Sequence, residues 1–96
     1  MTRPAKLSEA EIEYALGTLP HWARAGSAIT RTFAFRTFPD GISWVSRVAD
    51  AAERMDHHPD LDIRHTKITA TLATHSAGGL TALDFALAAE MDRLAK

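Results

Sequence analysis

Hydrophobic positions recur at two periods along this chain, and each period marks a kind of element. Ile12, Ala15, Leu16 and Leu19 lie three and four apart, the apolar face of a helix that Pro20 stops. Ser8 and Glu11 stand at the spacing of a capping box, so Ser8 is expected as N-cap. Residues 21–25 read as extended, with Trp22 as the apolar anchor, and Gly26-Ser27 supplies a turn. Over 29–35 the period becomes two: Ile29, Arg31, Phe33 and Phe35 share one face, Thr30, Thr32 and Ala34 the other. Arg31 in the apolar row implies that one end of this face meets solvent or a polar site.

Pro39 fits the first turn of a second helix, where a missing N–H costs nothing. Ile42, Val45, Val48, Ala49, Ala52 and Met55 form its predicted stripe. Pro59 disfavours helical backbone at His58, so this helix should end near Asp56 or His57. Residues 64–74 alternate through Ile68, Ala70 and Leu72 and read as one strand, interrupted later by Gly78-Gly79. Thr81 and Asp84 form a second capping box, opening a third helix with Phe85, Leu87, Ala88, Met91 and Leu94 inward. Helix, two strands, helix, one or two strands, helix is the pattern of an α+β protein, an antiparallel sheet covered by helices on one face. With no repeat or linker, residues 1–96 read as a single domain. A threonine-rich strand with little to cover it could pair across a two-fold axis, so a homo-oligomer is expected.

Composition narrows the function classes by exclusion. The net charge is −1, and without a Lys/Arg run the footprint of a nucleic-acid or membrane-surface binder is missing. No apolar stretch approaches the ~20 residues of a membrane span. The first six residues lead into a charged amphipathic stretch, which is not a secretory signal, and a cytoplasmic protein is expected. The absence of cysteine removes disulfides, thiolate nucleophiles and cysteine-ligated zinc.

What composition leaves is histidine chemistry. Glu53-Arg54-Met55-Asp56-His57-His58-Pro59 is followed by His75 and then Asp84. Histidine suits proton transfer near neutrality. His57 and His58 fall at the expected end of the second helix, where unpaired carbonyls and the helix dipole favour a protonated ring. Glu53 lies one turn earlier, and Asp56, Asp60 and Asp62 add negative charge nearby. His75 precedes a glycine-containing turn, a good place to expose a reactive group. Each has a plainer reading too: a histidine can cap a helix C-terminus, Glu53 can sit on a solvated face, and Asp84 can serve only as a cap. His21 and His65 are set aside. Along a straight strand, ten residues would put His65 about 33 Å from His75. No metal site is expected, because His57-His58 lacks the i, i+4 spacing that aims two imidazoles at one ion.

The run Glu53-x3-His57-His58-Pro59, then Thr74-His75-Ser76-Ala77-Gly78-Gly79-Leu80, then Asp84, closely resembles the pterin-4a-carbinolamine dehydratase family. Nine residues separate position 65 from His75, and eight separate His75 from Asp84, as in the family pattern. The likeness runs from about Trp22 through Arg47-Val48-Ala49 to the last helix. It departs at His65, where the family usually has tyrosine or another aromatic, and at Thr66-Lys67-Ile68, commonly Asn-Lys-Val. The resemblance implies a four-stranded antiparallel sheet with three helices packed on one face. It implies a hydro-lyase that dehydrates 4a-hydroxytetrahydropterin to quinonoid dihydropterin, recycling a tetrahydrobiopterin-type cofactor, with no metal or redox cofactor of its own. His57 and His75 would be the acid–base pair. His58 would position the pterin and departing hydroxyl, while Glu53 and Asp84 orient the histidines. A homodimer or homotetramer and a functional link to an aromatic amino-acid hydroxylase are further implications. The alternative is a non-enzymatic partner-binding or assembly module on the same fold.

Overall fold

A computed structural model describes residues 4–96; residues 1–3, which open the stretch read above for a signal peptide, lie outside them. Helix α1 (Glu9–Gly17) leads to strands β1 (Ala23–Ala25) and β2 (Ala28–Ala34), then helix α2 (Phe38–Met55). Strands β3 (Asp60–Arg64) and β4 (Lys67–Leu72), a 3₁₀ turn (His75–Ala77) and helix α3 (Ala82–Leu94) complete the order. The sheet runs β1-β2-β4-β3 and every pair is antiparallel.

The two sheet faces differ as the period-two pattern requires. Ile29 and Phe33 of β2 and Ile68, Ala70 and Leu72 of β4 are buried against Ile12, Trp44, Val48, Leu87 and Met91 of the helices. On the other face, the Thr32 and Thr69 hydroxyls meet across strands at 2.8 Å as an exposed pair. Trp44 joins the layers: its ring lies 4.4 Å from that of Phe33, and its indole N–H donates to the Met91 carbonyl of α3. Arg31, the polar intruder in the apolar row, donates to Asp92 of α3 at 2.6 Å and lies over the Phe33 ring. Asp92 also accepts from the Trp22 indole, so one carboxylate ties β2 and the residue preceding β1 to α3.

Both capping boxes form as expected, at Ser8/Glu11 and at Thr81/Asp84. Two readings need correction. The stretch 64–74 is not one strand: Arg64 ends β3 and pairs with Lys67, with His65 and Thr66 as a two-residue hairpin loop. His65 takes φ +54°, the left-handed conformation that such tight turns demand, without the glycine or asparagine that usually announces it. The inward face of α2 is also rotated from the predicted stripe. Gly41, Trp44, Val48, Ala51 and Ala52 are buried, whereas Ile42 and Ala49 are exposed and Val45 is half-buried. Trp44 decides the rotation, because the largest side chain of the helix takes the centre of the core and sets the facing.

Candidate active site

Three chain ends converge: the end of α2, the end of β4 and the start of α3. At the first, Asp56 adopts left-handed backbone (φ +49°), and the His57 N–H returns to the Ala52 carbonyl at 3.1 Å. This closes the helix as a C-terminal cap and reverses the chain. The two histidines then part company. His57 turns inward and is 8% exposed, while His58 stays on the surface.

His57 finds Asp84. Its Nε2 lies 2.6 Å from Oδ1 of that carboxylate, which is fully buried. The other oxygen, Oδ2, accepts the Thr81 backbone N–H at 2.9 Å and the Thr74 hydroxyl at 2.8 Å. The Thr81 hydroxyl lies 2.8 Å from that of Thr74 and accepts from the Leu83 N–H. Thr74 has one proton, given to Asp84, so Thr81 is the donor in the hydroxyl pair. A directed chain of donors therefore runs from Leu83 through Thr81 and Thr74 to Asp84. With Oδ2 occupied, an ionised Asp84 has Oδ1 for His57, and acceptor chemistry assigns the Nε2 proton to the histidine. Nδ1 is left as the nitrogen free to exchange a proton. Among the described residues no buried side-chain nitrogen or oxygen lacks a partner.

Asp84 thus meets both readings offered from sequence: it caps α3 and it holds His57. Glu53 likewise is on a solvated face and still bonds His58, Oε2 accepting from Nε2 at 2.5 Å. His58 and Glu53 border a cleft of about 390 Å³ that Val45, Ala49, Pro59 and Leu61 also line. His75 opens the 3₁₀ turn directly after Thr74 and is exposed. Its position depends on Thr74, whose N–H and C=O pair with Gly79 on the far side of the turn. The turn carrying His75 therefore springs from the residue that bonds Asp84, and Asp84 in turn holds His57.

His21 and His65 take no part in this cluster. His65 sits in the loop at one end of β4, and His75 lies beyond the other end. Sequence reasoning paired Asp84 with Thr81 through the capping box but missed Thr74 as its other partner. Nothing local marks Thr74, which reaches Asp84 only when β4 and α3 pack.

With the geometry in place, the chain can be set beside known proteins. The family model for pterin 4 alpha carbinolamine dehydratase matches residues 5–94. The chain belongs to that family. It is 53% identical over 90 residues to a protein of Nocardia farcinica provisionally named a pterin-4-alpha-carbinolamine dehydratase, covering 94% of this chain and 95% of that one. A protein of the same provisional name from Roseiflexus castenholzii is 51% identical over 90 residues, covering 94% and 97%. Among solved structures, a transcriptional coactivator/pterin dehydratase from Brucella melitensis superposes with a TM-score of 0.92 at 36% identity, covering 95% and 99%. A pterin dehydratase-like protein identified as a RuBisCO assembly factor in the alpha-carboxysome superposes with 0.66 at 25% identity, covering 77% and 88%. The fold implied by the motif is therefore the fold found.

Proposed function

We propose that this protein dehydrates a 4a-hydroxytetrahydropterin to quinonoid dihydropterin, with His57 and His75 as its acid–base pair. The C4a–O bond breaks as the ring nitrogen's electrons form the new C=N bond. A general acid protonates the departing hydroxyl, so that water leaves, and a base collects the ring N–H proton. The step is redox-neutral and calls only for proton donors and acceptors at two places on the substrate.

The observation that carries this reading is the 2.6 Å bond between His57 and Asp84 in a chain of this family. It commits one imidazole nitrogen and leaves the other for the substrate, as an Asp–His pair does wherever a histidine must keep one tautomer. His75, exposed on its turn, supplies the second group. His58, held by Glu53, positions the pterin and the departing hydroxyl. Nothing in this set involves His65.

Stopped-flow dehydration of 4a-hydroxytetrahydropterin, with and without the protein, tests the proposal. Acceleration by wild type that H57A and H75A lose supports it. No acceleration, or variants as fast as wild type, defeats it. A rate that stays flat from about pH 6 to 9 would count against histidine as the acid.

A second reading, partner binding or assembly without catalysis, draws on the likeness to the RuBisCO assembly factor. A stable partner whose capture survives loss of all three histidines would favour it. A homo-oligomer, a cytoplasmic location and a link to an aromatic amino-acid hydroxylase belong with the first reading as proposals.

A further inference from the structure

The two adjacent glycines after His75 are there for different physical reasons. Gly78 has φ +77° with open space around its α-carbon, so it answers a backbone requirement. Gly79 has no such conformation. A β-carbon there would lie 2.9 Å from Cε of Lys6 and 3.4 Å from its Cδ and Cγ. Position 79 is thus filled by the aliphatic stem of a lysine more than seventy residues away in sequence.

The chain before α1 brings that lysine into place. The Leu7 N–H donates to the Leu80 carbonyl at 2.8 Å, and the Leu7 side chain packs on the core. Lys6 then lies across Gly79, which is buried although Lys6 itself is exposed. Gly79 makes both backbone bonds to Thr74, N–H to C=O at 3.4 Å and C=O to N–H at 3.2 Å. These are long bonds, and they close the turn that carries His75. A methylene stem laid over them excludes water while its ammonium stays solvated.

We infer that Lys6 is a positioning residue: its stem clamps the Thr74–Gly79 closure and so fixes the turn bearing His75. Its catalytic consequence rests on the dehydratase reading; its structural consequence does not. Holding a lysine stem in one place opposes its rotamer entropy, so Leu7's anchoring of the backbone beside it is needed.

Four variants test the clamp: K6A, K6M, G79A and the double K6A/G79A. The structural readout is amide hydrogen exchange at Thr74 and Gly79, with Ile68 and Ala70 of β4 as internal controls. In K6A the two loop amides should exchange about three- to tenfold faster while the controls hold. Methionine keeps an unbranched stem without charge, so K6M should exchange like wild type. In G79A the new methyl displaces the stem, and removing Lys6 makes room for it, so the double variant should exchange more slowly than G79A. On 4a-hydroxytetrahydropterin, kcat of K6A should fall about three- to tenfold with KM moving less, short of the ~100-fold that a 1 Å misplacement can cost. Wild-type loop exchange in K6A overturns the clamp, as does a rise shared equally by the β4 controls. K6M behaving like K6A overturns it too, by assigning the effect to charge. If wild type fails to dehydrate the substrate, the proposed function falls while the exchange data still decide the clamp.

Discussion

Asp84 divides its two oxygens between jobs: Oδ1 accepts from His57 Nε2 at 2.6 Å, and Oδ2 accepts the Thr81 N–H that begins its own helix. A single buried side chain thus joins a helix cap to the histidine's tautomer. Fold and chemistry at this point can be separated by substitution.

Asp84→Asn is the sharpest separation. An amide has one acceptor oxygen, and Thr81 N–H and Thr74 together claim it. Its NH₂ then faces His57 Nε2 and forces the ring proton to Nδ1, the nitrogen that should meet substrate. The variant should fold with a loss of about 1–3 kcal/mol, the scale of a poorly matched buried hydrogen bond. Its dehydration rate should fall by about 10²–10⁴, the range of a misplaced general acid or base. Denaturant unfolding and stopped-flow rates measure the two effects. A variant within threefold of the wild-type rate would remove Asp84 from the mechanism.

His57→Ala and His75→Ala should part in stability though both lose activity. His57 is buried and bonds the buried Asp84, so its loss leaves a carboxylate oxygen without its partner and costs about 1–3 kcal/mol. His75 is exposed on a turn, and surface changes of that kind stay within about 0.5 kcal/mol. Thermal unfolding of the two variants side by side reads the difference. Equal destabilisation would mean that the His75 turn is part of the folding core.

These contrasts show what the sequence could and could not announce. Both capping boxes are local, four residues each, and were legible. The His57–Asp84 pair spans 27 positions, and only the family spacing suggested it. The β3–β4 hairpin escaped because His65-Thr66 lacks the glycine or asparagine of a tight turn, so nothing local marks where one strand ends and the next begins. The facing of α2 escaped because Ile42, Val45 and Ala49 also keep helical spacing, on a flank beside the buried face. Lys6 over Gly79 has no sequence signal at all, since nothing local connects a lysine before the first helix with a glycine before the last.

Stability should fall on the acid side through the first helix. The Arg24 guanidinium, bonded to Glu9, holds that carboxyl below its ordinary 4.5, and the Ser8 N–H and hydroxyl do the same for Glu11. A carboxyl depressed in the folded state contributes its stability above the unfolded value, and loses it as pH falls through the folded one. Denaturation midpoints should therefore show no loss from these groups between about pH 7 and 5, and a decline below about 4.5. E9Q/E11Q should flatten that decline. An unchanged acid slope in the double variant would place the sensitive carboxylates elsewhere. Both groups are exposed, so the effect should shrink in high salt.

His65 stands at the tip of the β3–β4 hairpin, away from the clustered histidines. The residue occupies a left-handed loop position, φ +54°, at the end of β4 remote from His75. Left-handed backbone costs an ordinary residue about 1–2 kcal/mol, while glycine avoids that cost but gives back about 0.4–1 kcal/mol through a freer unfolded chain. His65→Gly should accordingly be neutral to stabilising, by up to about 1.6 kcal/mol, and should dehydrate substrate at the wild-type rate. Urea midpoints and stopped-flow rates check both halves. A tenfold loss of activity in H65G with stability intact would tie the hairpin tip to the reacting site.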